Sequence, residues 1–508
     1  MKRLLKLLLS RIGMVSLGIL LQLFVLLASL LWFKDYKPVI TTLSTILSWL
    51  LILYVLSLPE NPAYKMAWII PILGFPVLGL SLYLLFGGSR LSKRLRRKMG
   101  DIDKTLEETM VQNETVMEAL RQDDPGAAVQ ARYLSNTVHC PVYQNTETDY
   151  YDSGERFFSR VFASLERAEK TIYLEYFIIE EGEIWSQILD ILTRKAAQGV
   201  DVRLIYDDFG CIQRLPTRYE RRLEALGIRA RAFNRFVPIL NSRLNNRDHR
   251  KLLLIDGVEG FTGGVNLADE YANLGKRRFG QWKDAAVRLR GEAVWSMTVM
   301  FLSMWNYVAQ EQAVDQKPEF ALLPKELGYV QPYLDTPLDD EAVGRIVFSN
   351  VITGARNYVW IMTTYLIIDE GMAETLTNAA KSGIDVRIIT PGIPDKPYVY
   401  EMTRANYDPL LAGGVRIFEY SPGFVHSKVF LSDDITAAVG TVNLDFRSLY
   451  LHFEDGVWLY RADCIAAIRA DFDASFPQCR EVKLEESSRI SVLRHLYRSI
   501  LRLLSPLM

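Results

Sequence analysis

Apolar and polar positions divide the chain into two regimes. Near its start, residues 12–33, 38–58 and 66–86 form three apolar stretches with no Asp, Glu, Lys or Arg inside. Each is about 20 residues long, the length a helix needs to cross a hydrocarbon core. Residues 1–88 therefore read as a membrane anchor of two or three hydrophobic helices. A cleaved signal peptide fits poorly, because the first stretch is longer than a signal core and no A-x-A-like site follows it. The third stretch contains Pro71, Gly74, Pro76 and Gly79, compatible with a membrane helix whose freed backbone groups find neighbours or with a re-entrant hairpin. The basic residues Arg90, Lys93, Arg94, Arg96, Arg97 and Lys98 directly after it place the rest of the chain in the cytoplasm. Lys2, Arg3, Lys6 and Arg11 place the N-terminus there too, which three full crossings would not allow.

Beyond residue 88 the pattern changes. Residues 89–130 are basic and then polar, without a strong apolar stripe, and predict a helical connector. From 131 to 480 short β-rich runs alternate with helical periodicity, which is the rhythm of an α/β fold. In residues 481–508 the spacing predicts a basic amphipathic helix. Ile490, Leu493, Tyr497, Ile500, Leu501 and Leu504 share one face, while Arg494, Arg498 and Arg502 recur every four residues on another. Such a helix suits an anionic membrane surface, or docks on the protein.

The α/β region is a duplication. His249, Lys251, Asp256, Gly263 and Asn266 recur as His426, Lys428, Asp433, Gly440 and Asn443, every position displaced by 177. Upstream, Tyr176-Phe-Ile-Ile-Glu-Glu-Gly182 matches Tyr365-Leu-Ile-Ile-Asp-Glu-Gly371, and Gly199-Val-Asp-Val-Arg matches Gly383-Ile-Asp-Val-Arg. This predicts two halves, residues 131–315 and 316–480, each a sheet covered by helices and related by a pseudo-twofold axis.

The repeated residues carry the candidate chemistry. In His-x-Lys the two side chains lie two positions apart, so on a strand they share a face and can meet one phosphate. Asp256 and Asp433 follow the apolar runs after their histidines and suit the fixing of local structure or charge. The Gly-x-x-Asn segments can bring backbone and amide groups to phosphate oxygens. One H-x-K is a weak motif, but two of only five histidines occupy two copies of the same constellation. The chemistry they predict is a ping-pong transfer, in which one neutral histidine attacks phosphorus while the other moves a proton to and from the alcohols. Lysines and asparagines would stabilise the oxyanions, and no HExxH or clustered carboxylate pattern calls for a metal or other cofactor.

Charge and cysteine content narrow the field. A net charge of -1 argues against a nucleic-acid partner. Four widely spaced cysteines, Cys140, Cys211, Cys464 and Cys479, indicate neither a zinc site nor a disulfide framework.

The motifs resemble the paired HKD motifs of the phospholipase D superfamily. The fuller pattern resembles bacterial cardiolipin synthases, through Asn61-Pro-Ala-Tyr64, Leu85-Phe-Gly-Gly88, Leu174-Glu-Tyr-Phe177, Trp282-Lys-Asp284, Gln331-Pro-Tyr333, Gly440-Thr-Val-Asn-Leu-Asp-Phe-Arg-Ser448 and His452-Phe-Glu454. The resemblance implies a duplicated phospholipase D-like α/β domain behind N-terminal transmembrane helices in the cell membrane. It implies one site formed by His249, Lys251 and Asp256 with His426, Lys428 and Asp433, joined by Asn266 and Asn443. Glu175 and Glu454 would orient the histidines, and superfamily practice favours His249 as nucleophile, although the sequence is too symmetric to choose. The implied reaction joins two phosphatidylglycerols into cardiolipin and glycerol in the bilayer. A phospholipase D hydrolase differs only in using water as acceptor. An HKD endonuclease would not need the apolar stretches, and a decayed scaffold would have lost a histidine or lysine.

Overall fold

The computed structural model describes residues 37–87, 108–235, 246–275, 278–313, 316–320, 328–339 and 341–507, together with residues 20 and 24. Apart from residues 20 and 24, the first apolar stretch lies outside the described residues, as does the basic cluster at 90–98. The second stretch forms helix α1, Lys37–Ser57. The third breaks at Phe75 into α2, Pro62–Gly74, and α3, Pro76–Phe86, each opened by a proline, which fits a first helical turn. Val55, Tyr64, Trp68, Ile72 and Tyr83 hold the three helices together. Among the described residues no helix is long and apolar enough to cross a membrane. The third stretch cannot do so as one straight helix, since its two pieces have 13 and 11 residues.

Two mixed sheets embody the duplication. In the first, the strands run in the spatial order Thr146–Tyr151, Ala286–Gly291, Glu259–Gly263, Lys251–Ile255, Thr171–Tyr176, Asp201–Asp207, Arg229–Phe233. The second repeats that order as Tyr329–Asp335, Glu454–Tyr460, Thr436–Gly440, Val429–Ser432, Tyr358–Met362, Asp385–Pro391, Arg416–Tyr420, and adds Cys479–Val482 at its edge. In both, the last three shared strands are parallel and the others antiparallel.

The strands carrying the motifs are buried on both faces, which explains their unbroken apolar runs. Leu252 and Leu254 point into a core shared with Val429 and Leu431 of the other half. Leu253 and Ile255 point outward beneath the first half's helices, and Phe430 does the same in the second. The sheets thus meet through a common core, with helices on their outer sides. The expected connector is partly built into this body. Helices Glu114–Asp123 and Pro125–Val138 pack Leu120, Ala128, Ala131 and Leu134 into the outer core of the second half, where Gln331 donates to the carbonyls of Ala131 and Cys140.

Candidate active site

Each motif histidine lies two or three residues before a central strand and is held by backbone from the opposite half. His249 N–H donates to the Phe453 carbonyl at 2.9 Å, and His426 N–H donates to the Lys283 carbonyl at 2.7 Å. The residue after each of these accepting carbonyls supplies the orienting carboxylate. Glu454 accepts from His249 Nδ1 at 2.8 Å, and Asp284 accepts from His426 Nδ1 at 2.8 Å. Both carboxylates are fully buried, and each belongs to the half that does not contain its histidine. A neutral imidazole donating from Nδ1 carries its lone pair on Nε2, the form a nucleophile or proton acceptor needs.

Glu454 is the more heavily supported of the two. It also accepts hydroxyls from Ser448 at 2.7 Å and Thr441 at 2.5 Å. Burial would raise its pKa, but the facing His249 outweighs this and holds it well below the usual carboxylate range. Asp284 is likewise lowered, burial being overcome by His426 and Lys428. Its close approach requires Gly264, because a Cβ there would lie 1.9 Å from Asp284 Oδ1.

Burial drives His249 down to about 3 against the pull of Glu454, and His426 down to about 4, with Lys428 adding to the depression. Lys251 Nζ donates to the His249 carbonyl at 2.6 Å, while Lys428 Nζ donates to Thr364 Oγ1 at 2.9 Å and to the His426 carbonyl. Their pKa values fall to about 8 and about 7, mainly through desolvation, and each lysine feels carboxylates of both halves. The two histidines and two lysines of the motifs share one buried region, where Lys251 of the first half acts on His426 and Lys428 of the second. That is the electrostatic environment in which a phosphodiester is stabilised.

Asn266 and Asn443 also lie in this region, buried. Asn266 accepts from Ile178 N–H and donates to Tyr271. Asn443 donates to Ser448, the hydroxyl that supports Glu454, and its Oδ1 has no hydrogen-bond partner. Phe177 packs against His249, and Tyr271 and Trp282 against His426.

Three expected site residues lie elsewhere. Asp256 sits at the far end of its strand, roughly 20 Å of extended chain from His249. There its carboxylate accepts from the amides of Glu169, Lys170 and Thr171 at 2.9, 2.7 and 2.9 Å. Asp433 does the same for Arg356, Asn357 and Tyr358 at 2.6, 2.9 and 2.9 Å. Both are caps on the start of the neighbouring strand, as the seven-residue spacing from the histidines dictates, and neither reaches the reacting groups. Glu175 touches neither histidine; it pairs with Arg250 at 2.6 Å. Its place beside His426 is taken by Asp284, a residue the sequence singled out only within Trp282-Lys-Asp284.

His452 was noted only beside Glu454. Its ring centroid lies 5.6 Å from that of His249, and its Nδ1 is 3.6 Å from Glu454, beyond hydrogen-bonding distance. The ligand atoms of His249, His452 and Glu454 lie within 4.8 Å of one another. A cation there would compete with the hydrogen bonds that Glu454 accepts from Ser448 and Thr441.

The profile of a family described as "Cardiolipin synthase, PLD-like domain" matches residues 161–280 and 348–476, and one described as "Phospholipase_D-nuclease N-terminal" matches residues 41–88. An uncharacterized protein of Streptococcus mutans is 40% identical over 90% of this chain and 99% of its own length. A cardiolipin synthase of Alkalihalophilus pseudofirmus is 33% identical over 94% of this chain and 95% of its own. Among solved structures, a phosphatidylserine synthase of Haemophilus influenzae shares the fold, with a TM-score of 0.56 at 15% identity, covering 71% of this chain and 95% of that one. With two phospholipase D-like halves and relatives matched nearly end to end, the chain belongs to the cardiolipin synthase family of phospholipase D-like proteins.

Proposed function

We propose that this chain is a membrane-bound phosphatidyltransferase that converts two phosphatidylglycerols into cardiolipin and glycerol through a phosphatidyl-histidine intermediate. The observation that carries this reading is the reciprocal pairing of His249 with Glu454 and His426 with Asp284, each buried carboxylate fixing the tautomer of the other half's histidine. His249 Nε2 attacks phosphorus, and the P–O bond to the departing glycerol breaks as His426 gives that oxygen a proton. A hydroxyl of the second phosphatidylglycerol then returns a proton to His426 and attacks phosphorus, and the P–N bond to His249 breaks. His426 must carry a proton in the first step. The negative diester supplies the charge that raises its pKa, offsetting the burial and the lysine that depress it in the empty site.

Lys251, Lys428, Asn266 and Asn443 stabilise the phosphorane oxygens. One phosphodiester replaces another, so the exchange needs no nucleotide. Helices α1–α3 sit in the bilayer, holding the catalytic body at the cytoplasmic surface where both substrates reside. Their outward-facing Leu43, Leu47, Leu50, Leu53, Met66, Ile70 and Leu73 support this placement, since a water-facing helical hairpin would not carry such a surface.

Lipid mass spectrometry on the purified protein, supplied with phosphatidylglycerol alone and no nucleotide, tests the reading. Cardiolipin and glycerol should appear in equal amounts. Phosphatidic acid and glycerol without cardiolipin would make the protein a hydrolase.

A further inference from the structure

The C-terminal helix, α5 (Val492–Leu504), is docked with its polar side inward. Arg498 is 5% exposed and its Nε donates to Glu401 at 2.8 Å; Arg494 Nε reaches the same carboxylate at 3.2 Å. Glu401 lies on helix α4, Pro397–Ala405, and its carboxylate is held below the usual range by these two arginines against the opposing effect of burial. Turned the other way are Val492 at 84% exposure, Leu493 at 80%, Leu496 at 57%, Tyr497 at 45% and Ile500 at 48%. The basic face foreseen for an anionic surface is therefore largely occupied by the protein itself. The apolar face is the one presented outward, the reverse of how an amphipathic helix docks on a body in water.

What covers this face follows from its neighbours. Helix α5 touches α2, and so does the turn Ser505–Leu507 that ends it. Leu501 enters a small apolar cluster with Ala63 of α2. Helix α2, against which α5 packs, exposes Met66, Ile70 and Leu73, so two elements in contact, from opposite ends of the chain, both carry exposed apolar side chains. Exposed Arg489 precedes the helix and exposed Arg502 lies in its last turn, where they can meet anionic headgroups while the five apolar side chains enter the acyl boundary.

We propose that the outer face of α5 lies in the interface of the same bilayer that holds α1–α3, as an in-plane helix clamped to the catalytic body through Glu401. This rests on the membrane placement of α1–α3 given above. The clamp fixes the height of the second half over the lipid surface, and α5 gives the body a second attachment distant in sequence from the first. A bilayer, and not a second copy of the chain, is the occupant because the face lies on a helix in contact with α2, which also exposes apolar side chains, and is edged by arginines.

Spin labelling of the full chain in phosphatidylglycerol-containing nanodiscs tests this. Nitroxides are placed singly by Leu496→Cys in α5, Leu50→Cys in α1 and Ser488→Cys as an aqueous control, with the half-buried Cys479 replaced by Ser. The expected result is greater accessibility to oxygen than to a soluble nickel chelate at positions 496 and 50, and the opposite at 488. A lipid-facing label at 50 with an aqueous label at 496 overturns the proposal and leaves the anchor intact. Aqueous labels at both sites overturn the anchor as well. Dipolar broadening at 496 that disappears when the labelled chain is diluted into unlabelled protein would assign the face to a second copy and overturn the proposal. The triple variant L493S/L496S/I500S should raise the apparent KM for bilayer phosphatidylglycerol roughly tenfold, as loss of buried apolar area at an interface implies, with kcat in detergent micelles unchanged; an unaltered KM counts against the proposal.

Discussion

Each motif histidine is hydrogen-bonded to a buried carboxylate that belongs to the other half. Replacing Asp284 by Asn or Glu454 by Gln exchanges an acceptor-only carboxylate for an amide that can also donate and so no longer selects the Nδ1–H tautomer, and kcat should fall by about 10²–10⁴-fold in each case. Steady-state kinetics in mixed micelles would measure this. Glu175→Gln should behave differently, because Glu175 pairs with Arg250 and not with a histidine. Its cost should appear in thermal stability, with the pH profile of kcat unchanged. The depressed histidines also make stability depend on pH. A histidine whose folded pKa lies below the ordinary 6.5 binds fewer protons folded than unfolded, so its contribution is full above 6.5 and is lost as pH falls toward about 4 for His426 and about 3 for His249. Thermal melts between pH 7 and pH 5 should show a smaller decline for His426→Asn than for the wild type. An equal decline would contradict the neutral, buried state of His426.

At the scale of elements, the two aspartates of the motifs act at strand ends. Asp256 and Asp433 adopt left-handed backbone conformations with φ of 54° and 55°, and each ties three consecutive amides to the turn that follows a motif strand. Asp256→Ala or Asp433→Ala leaves those amides unpaired. Each substitution should cost about 1–3 kcal/mol of stability, read as a lower melting temperature, while kcat per folded molecule stays within about twofold if the caps act only through structure. A large kcat loss in a fully folded variant would return them to the active site.

What was legible at this scale follows from the strength of each pattern. Strands such as 251–255 and 429–432 declared themselves by continuous apolar runs, and the constant displacement of 177 located both histidines, lysines and asparagines. Asp284 was harder to find because the loop before it is seven residues longer than the one before Glu454, so the displacement between the two carboxylates drops to 170. Residues 89–130 read as a connector because the side chains they bury on these helices, Met117, Leu120, Ala127, Ala128 and Gln130, are few and include two alanines and a glutamine, which weigh little in a hydropathy pattern. The direction in which α5 faces could not be read from periodicity, which gives two faces and does not say which one meets the protein. Glu401, nearly a hundred residues upstream, decides it.

For the whole molecule, duplication solves a problem of symmetry. The proposed double displacement at phosphorus needs a nucleophile and a proton carrier on opposite sides of one phosphate, and two copies of His-x-Lys placed by a shared core would supply both. The same core, from Leu252 and Leu254 to Val429 and Leu431, fixes the two histidines relative to each other. The elements proposed to meet the membrane are in contact with each other through α2 and α5. The central claim is that the phosphatidyl group passes through covalent attachment to His249. Rapid denaturing quench during turnover of phosphatidylglycerol, followed by peptide mass spectrometry under alkaline conditions, tests it most directly. The account predicts a phosphatidyl mass increment on His249 that is absent from His249→Asn, together with loss of cardiolipin formation in that variant. Cardiolipin formed at the wild-type rate by His249→Asn, or an increment found on His426 alone, would contradict it.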